Sequence, residues 1–248
     1  MKVSIITATY NNEETVEETI LSVFYQSYKD IEHIIIDGRS SDKTMQFLNK
    51  HQDKISKIIS EPDKGIYDAL NKGIKNSTGD LIAFLHADDI YTDNKIIEEA
   101  VDLIKKEKTD SLYADLLYVS KNNTNKVIRN WKAGKFKYSN LKKGWMPPHP
   151  TFLVKKEIYN KFGIFDSNFR IAADYDIILR FLGKYRISSS YLPKVMIKMR
   201  IGGESNKSLK NIIDKMKEDL KAIKKNKTGN WKTLFFKNII KIPQLFVK

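Results

Sequence analysis

The apolar residues of the first hundred positions switch between two periods. Val3–Thr9 is a run rich in β-branched residues that predicts a strand. Asn11 and Asn12 suit the cap of a following helix, and Glu13 and Glu14 suit its first turn. Val16, Ile20, Val23 and Phe24 then recur at helical spacing. The alternation continues with a strand over 33–36 ended by Asp37-Gly38, a short helix over 42–49 and a strand over 55–59. A helix over 66–75, broken at Gly73, precedes a strand over 81–85, and Ile96, Ile97, Ala100, Val101 and Ile104 mark a further amphipathic helix. This β-α-β-α order predicts an α/β fold, a mostly parallel sheet flanked by helices. Ligands of such sheets bind beyond the carboxyl ends of the strands. That rule brings Ala8-Thr9-Tyr10, Asp37 and Asp88-Asp89 to one rim.

The second half is less regular. Strands over 112–119 and 126–131 flank a loop, and 151–154 and 174–182 read as a short strand and a helix. Trp145-Met146-Pro147-Pro148-His149-Pro150 is excluded from regular helix, because its three prolines remove donors and restrict their neighbours. No apolar run reaches 18 residues, so no spanning helix is expected. Met1 to Tyr10 reads as a strand and not as a leader. Cysteine is absent, which fits a reducing cytoplasm.

Charge changes this picture only at the end of the chain. Of the formal net charge of +14, residues 205–248 carry +9, from 12 Lys against Asp214, Glu218 and Asp219. Leu209, Ile212, Ile213, Met216, Leu220 and Ile223 form an apolar stripe there. A second apolar stretch runs through Trp231, Leu234, Phe235, Ile239, Ile240, Ile242, Leu245 and Phe246, studded with Lys. The division expected is a catalytic domain over 1–204 and a basic amphipathic helical tail over 205–248. Such helices lie on anionic membranes, or pack on their own domain with Lys solvated.

The candidate chemistry centres on Asp88 and Asp89. Two adjacent carboxylates at the end of a buried strand repel each other and resist desolvation. A hard cation, Mg²⁺ or Mn²⁺, relieves both costs and bridges carboxylates to substrate phosphates. The alternative is an acidic turn. A P-loop is absent, and the turn Ala8 to Asn12 has no glycine, so a dinucleotide fingerprint is absent too. A nucleotide would be held by other means: Tyr10 stacking on a base, or serving as a core aromatic; Asp37 accepting from a ring N–H, or forming a turn before Gly38.

Three stretches taken in order carry a resemblance: Ser4-Ile5-Ile6-Thr7-Ala8-Thr9-Tyr10-Asn11, then Ile36-Asp37-Gly38-Arg39-Ser40-Ser41-Asp42-Lys43-Thr44, then Ala87-Asp88-Asp89. They resemble the successive motifs of glycosyltransferase family 2, inverting enzymes of the GT-A fold that use nucleotide-diphosphate sugars. Glu61-Pro62-Asp63-Lys64-Gly65-Ile66-Tyr67-Asp68-Ala69-Leu70-Asn71-Lys72-Gly73-Ile74, Pro148-His149-Pro150-Thr151-Phe152 and Ala172-Ala173-Asp174-Tyr175-Asp176 resemble small bacterial members that build surface polysaccharides. The resemblance implies that Ala8, Tyr10 and Asp37 hold the base, usually uracil, and that Asp68 and Asn71 continue the nucleotide pocket. It implies a divalent metal at Asp88, with Asp89 assisting. His86 stands where the fuller motif has an acid, at the ribose rim or facing the core. Asp174 matches the general base, with Ala173 replacing the first acid of the usual pair; by residue type alone Asp174 also suits a helix N-cap. Trp145, His149, Asp176 and Arg180 are candidates for acceptor or phosphate contact. For Asp176 and Arg180 the alternative is an i,i+4 ion pair, and for Trp145 it is core packing. Arg200-Ile201-Gly202-Gly203-Glu204-Ser205 reads as a closing loop.

The expected partners are a nucleotide-diphosphate sugar, a glycan or lipid-linked acceptor and an anionic membrane surface on the cytoplasmic face, with no nucleic acid. A sugar nucleotidyltransferase would want a Gly-rich basic N-terminal loop, which the chain lacks. A non-catalytic basic binding module leaves Asp37, Asp88-Asp89 and Asp174 unexplained.

Overall fold

The computed structural model describes residues 1–202 and 209–239. The expected alternation is present: β1 (Val3–Thr9), α1 (Val16–Phe24), β2 (Ile31–Asp37), α2 (Thr44–Lys50), β3 (Lys57–Ser60), α3 (Ile66–Asn76) and β4 (Leu81–Phe84). Strands β1 to β4 are parallel, with β1 between β2 and β4. Ile5, Ile6, Ile34, Ile35, Ile36, Leu81 and Ile82 are wholly buried between the helical layers. Strands covered on both faces read as continuous apolar runs, as these do. In register, Thr9 lies beside Asp37 and Asp37 beside Ser60, so three strands end at one rim.

Gly73 does not break α3, which runs unbroken through it. A Cβ at Gly73 would stand 2.3 Å from Ile6 Cγ2. The glycine is there so that α3 can lie close on β1, and that contact outweighs its poor helix propensity.

Beyond β4 the sheet becomes mixed, so "mostly parallel" holds for the first half only. β5 (Ile90–Tyr91), α4 (Ile96–Glu107), β6 (Ser111–Ser120), β7 (Asn123–Trp131), α5 (Tyr138–Leu141), β8 (Leu153–Lys155) and α6 (Lys156–Phe162) follow. The three-residue β8 wedges antiparallel between β4 and β6. α7 (Ala173–Ile178) continues as a π-helical turn over Leu179–Lys184 and leads to β9 (Ser189–Arg200). β9 pairs parallel with β6 and antiparallel with β5. Sequence patterning misses β9 because Pro193 interrupts it: the register jumps from Leu192 to Val195, and Pro193 and Lys194 bulge out of the ladder.

The tail begins with α8 (Leu209–Lys225) and α9 (Trp231–Ile239). α8 packs on α7 through a face that includes Asp219, Ala222 and Ile223, all buried, while Ile212, Ile213 and Met216 are exposed. The apolar stripe therefore splits, with Ile223 inward and those three outward. Gly203 to Ser205 of the expected closing loop, the 204/205 boundary, and Ile240, Ile242, Leu245 and Phe246 lie outside the described residues.

Candidate active site

The carboxyl ends of β1 and β4 open into a cleft of about 900 Å³. That is ample for a nucleotide sugar. Ala8, Tyr10, His86, Asp88, His149 and Asp174 all line it. Tyr10 is 62% exposed at the mouth, so it is no core aromatic. Asp63 also lines the cleft, and its carboxylate approaches the Tyr10 ring across Gly38. A Cβ at Gly38 would meet Asp63 Oδ2 at 2.6 Å and Tyr10 Cδ2 at 3.4 Å.

Asp37 takes a different place. It is fully buried and outside the cleft lining. Its carboxylate accepts from the Arg39 and Ser40 N–H groups at 3.1 and 3.2 Å, from the Ser40 hydroxyl, and from the Ser60 hydroxyl at 2.6 Å. Four protein donors engage it, so the turn reading describes its position. Asp68 also lies outside the lining. It accepts from Lys64 N–H at 3.1 Å and faces Lys72 at 3.6 Å. Asn71 clamps Phe165: its amide nitrogen donates to the Phe165 carbonyl at 2.9 Å, and its oxygen accepts from the Phe165 N–H at 2.9 Å.

The acidic pair divides. Asp88 faces the cleft, and its backbone carbonyl accepts from Arg200 Nη1 at 2.6 Å. Asp89 is fully buried behind it, with Oδ1 accepting from the Arg200 N–H at 3.2 Å. Burial pushes the Asp89 carboxyl well above the usual carboxylate range; the Asp88 charge adds to this and Arg200 opposes it. His86 is largely enclosed, with Nδ1 unpartnered and its ring 5.9 Å from that of His149. Burial pulls the His86 imidazole below its ordinary pKa, against the charges of Asp88 and Asp174. Among the described residues no three His, Asp or Glu side chains converge to cage an ion.

Asp174 sits in the first turn of α7. The N-cap position belongs to Ala172, so Asp174 is not the cap. Its Oδ2 lies 3.3 Å from His149 Nδ1, and its Oδ1 lies 3.2 Å from the Tyr67 hydroxyl. Burial alone would raise the Asp174 carboxyl; the charges of His149, Lys237 and Lys215 and the Tyr175 N–H outweigh it and hold it below the ordinary value. Residue patterning missed Tyr67 and Arg170, which also line the cleft. Tyr67 belongs to the Glu61–Ile74 motif block, the one signal that pointed to it.

Trp145, Asp176 and Arg180 are drawn into the protein. The Trp145 indole donates to the Ala133 carbonyl at 2.9 Å and packs on Phe136 and Tyr113. Asp176 is fully buried against Asn226 at 2.9 Å and Lys225 at 3.1 Å, both from the tail. Arg180 donates to the Ile164 carbonyl at 2.7 Å and stands 3.8 Å from Asp176.

Residues 4–171 match the family model described as "Glycosyl transferase family 2". An uncharacterized glycosyltransferase of Mycobacterium tuberculosis is 33% identical over 186 residues, covering 72% of this chain and 68% of its own. A PGL/p-HBAD biosynthesis glycosyltransferase of Mycobacterium bovis is 27% identical over 217 residues, covering 86% and 80%. Among solved structures, S. aureus TarS 1–349 in complex with UDP-GlcNAc superposes with a TM-score of 0.68 at 18% identity, over 90% of this chain and 66% of that one. A mannosyltransferase from Pyrobaculum calidifontis in complex with GDP-Man and Mn²⁺ does so with a TM-score of 0.66 at 16% identity, over 90% and 63%. The chain spans 40% of the length of the longer TarS chain. Those structures establish the GT-A architecture, and the sequence match with its ordered motifs establishes that the chain belongs to glycosyltransferase family 2.

Proposed function

We propose that the protein transfers a sugar from a nucleotide-diphosphate sugar, UDP-linked in the first instance, to a hydroxyl of a glycan or lipid-linked acceptor with inversion. The observation that carries this reading is that Asp174 and Asp88 line one cleft whose mouth holds the exposed Tyr10 ring. The UDP-GlcNAc complex of the TarS fragment supports a nucleotide-sugar donor. In the reaction the acceptor oxygen attacks the anomeric carbon and its proton passes to Asp174. The bond from that carbon to the diphosphate oxygen breaks, and the nucleotide diphosphate leaves with the electron pair. Asp174, held below the usual carboxylate range, is ionised and ready to accept the proton at neutral pH. His149 holds one oxygen of that carboxylate, and the Tyr67 hydroxyl, whose single proton is shared with the nearer Ile171 carbonyl, stands 3.2 Å from the other.

Tyr10 stacks on the base. Asp63 offers it an acceptor beside that ring, the role that Asp37 is too enclosed to fill. The donor set also fits a hard divalent cation. The cleft-facing carboxylate of Asp88, without a full protein cage among the described residues, suits Mg²⁺ or Mn²⁺ held jointly with substrate phosphates. Asp88 would hold it; when bound, the cation offsets charge growing on the leaving diphosphate.

In this reading the tail serves as the contact with a membrane surface. Ile212, Ile213 and Met216 of α8, and Trp231, Phe235, Phe236 and Ile239 of α9, are exposed in the most basic part of the chain. Anionic lipid complements that charge, and the aromatic and aliphatic side chains suit its interface. Replacing Ile213 and Met216 with Glu should reduce sedimentation with anionic vesicles several-fold; undiminished sedimentation would exclude α8 as the contact.

The central test is transfer from a panel of nucleotide sugars, read as released nucleotide, together with thermal shift by UDP and Mn²⁺ and its reversal by EDTA. Asp174→Asn should bind UDP normally and lose turnover by about a thousandfold. The absence of stabilisation by any nucleoside diphosphate would overturn the reading.

A further inference from the structure

The tail does more than cover the domain. Glu218, on α8, points its carboxylate at the segment that leads into α7. Its Oε1 accepts from the Arg170 N–H at 3.0 Å, and its Oε2 accepts from the Ile171 and Ala172 N–H groups at 2.8 and 2.9 Å. Three consecutive backbone donors thus converge on one charged acceptor, a strong and directional arrangement. Ile171 is held on its other side as well, since the Tyr67 hydroxyl meets its carbonyl oxygen at 2.7 Å. Ala172 then caps α7, and Asp174 lies two residues further on. The Arg170 side chain is tied to the same helix, donating to Asn211 Oδ1 at 3.0 Å.

We infer that Glu218 is a positioning residue for the base: by gripping the backbone of residues 170–172 from the tail, it sets where the Asp174 carboxylate stands in the cleft. The inference rests on the reading of Asp174 as base and adds that part of the catalytic geometry is supplied from beyond residue 205. Ordinary tail anchoring is provided elsewhere. Lys225 meets Asp166 at 2.7 Å, Asn226 meets Asp176 at 2.9 Å, and the Thr233 hydroxyl donates to the Lys142 carbonyl at 2.9 Å. None of these touches residues 170–172. Without Glu218 the tail keeps those anchors, while three N–H groups of the base-bearing segment lose their acceptor. A displacement of about 1 Å at a reacting group is enough for a hundredfold loss of rate.

The test uses the full chain carrying Glu218→Gln, Glu218→Asp or Glu218→Ala. Transfer kinetics, UDP affinity, Tm and amide hydrogen exchange at 170–172 are measured on each. Gln keeps the size but sets an N–H₂ where an acceptor oxygen was. The expected result for Glu218→Gln is a fall in kcat of about ten- to a hundredfold, with donor KM within about twofold and faster exchange at 170–172. Glu218→Asp, which keeps the charge, should recover part of the rate, and Glu218→Ala should recover none. A kcat within twofold of wild type while 170–172 exchange freely would overturn the inference. So would a loss of kcat matched by an equal loss of UDP affinity, because that pattern belongs to general unfolding of the site. Asp174→Asn run in parallel separates the two readings. An inactive Asp174→Asn beside an unimpaired Glu218→Gln overturns the inference alone, whereas an active Asp174→Asn removes the base reading and the inference with it.

Discussion

His149 Nδ1 stands 3.3 Å from Asp174 Oδ2, although the two residues come from unrelated parts of the fold. His149 opens a 3₁₀ turn behind two prolines, and Asp174 lies in the first turn of α7. The proline-rich stretch thus fixes an imidazole ring beside the half-buried carboxylate. The sign of the effect is clear: burial raises the Asp174 carboxyl, and positive charge led by His149 lowers it by more. Wild-type enzyme should therefore keep its base ionised to a lower pH than an ordinary carboxylate allows. His149→Asn removes the leading positive charge, so the Asp174 carboxyl should rise and the acid limb of the kcat/KM profile should move to higher pH. A limb that stays in place would show that the pair is not coupled.

Tyr10 and Asp63 predict how the base is read. Tyr10→Ala should weaken UDP binding about tenfold, the scale of one lost base–aromatic stack, with Tm unchanged because the ring is exposed. Asp63→Ala should weaken UDP more than CDP, since uracil presents a ring N–H to a carboxylate and cytosine does not. Asp37→Ala should behave differently, lowering Tm as four protein donors lose their acceptor. Titration calorimetry with both nucleotides and thermal melts separate the three. Equal losses for UDP and CDP in Asp63→Ala would remove it from base recognition.

The contrast between Asp37 and Asp63 shows what the sequence could carry. The rim was readable because topology fixes it: parallel strands end on one side, so Tyr10 and Asp88 had to meet there. Bonding partners were not readable. Ser60, which engages Asp37, lies on another strand, and Phe165, which occupies Asn71, is 94 residues away. Residue type marks Asp37 and Asn71 as polar groups near a pocket, but only packing decides whether they turn to a ligand or to the chain. The same limit hid Glu218, whose three donors lie at least 46 residues back. The apolar stripe of α8 leaves open a membrane or the domain as its partner; the helix docks in part by charge and leaves Ile213 and Met216 outside.

Gly73 separates propensity from packing. By helix propensity alone, Gly73→Ala should stabilise α3 by about 1 kcal/mol. The new Cβ would stand 2.3 Å from Ile6 Cγ2, inside a buried strand–helix contact. Overpacking of that kind costs about 1–3 kcal/mol, so the net change should be destabilising. Urea denaturation with an unchanged m-value would measure it. A stabilised Gly73→Ala would mean that β1 and α3 can part without penalty.

Lys237 and Asp219 decide whether residues 205–248 form a separate unit. Lys237 Nζ lies 2.6 Å from Asp219 Oδ1 and 3.3 Å from the centre of the Tyr175 ring, one residue from the base. Their side chains are only 2% and 3% exposed, and the backbone of Lys237 packs tightly on Gly144. Burial pulls the Lys237 ammonium down, and the Asp219 charge opposes it. Lys237→Met leaves Asp219 buried without its cation and should cost about 3–5 kcal/mol. Adding Asp219→Leu should return most of that, because two apolar groups in place of a buried pair are close to neutral. The double-mutant cycle is read from the main cooperative unfolding transition. If the tail were an independent appendage, Lys237→Met would leave that transition where it is. If the tail is part of the domain, the whole transition shifts and the second substitution restores it.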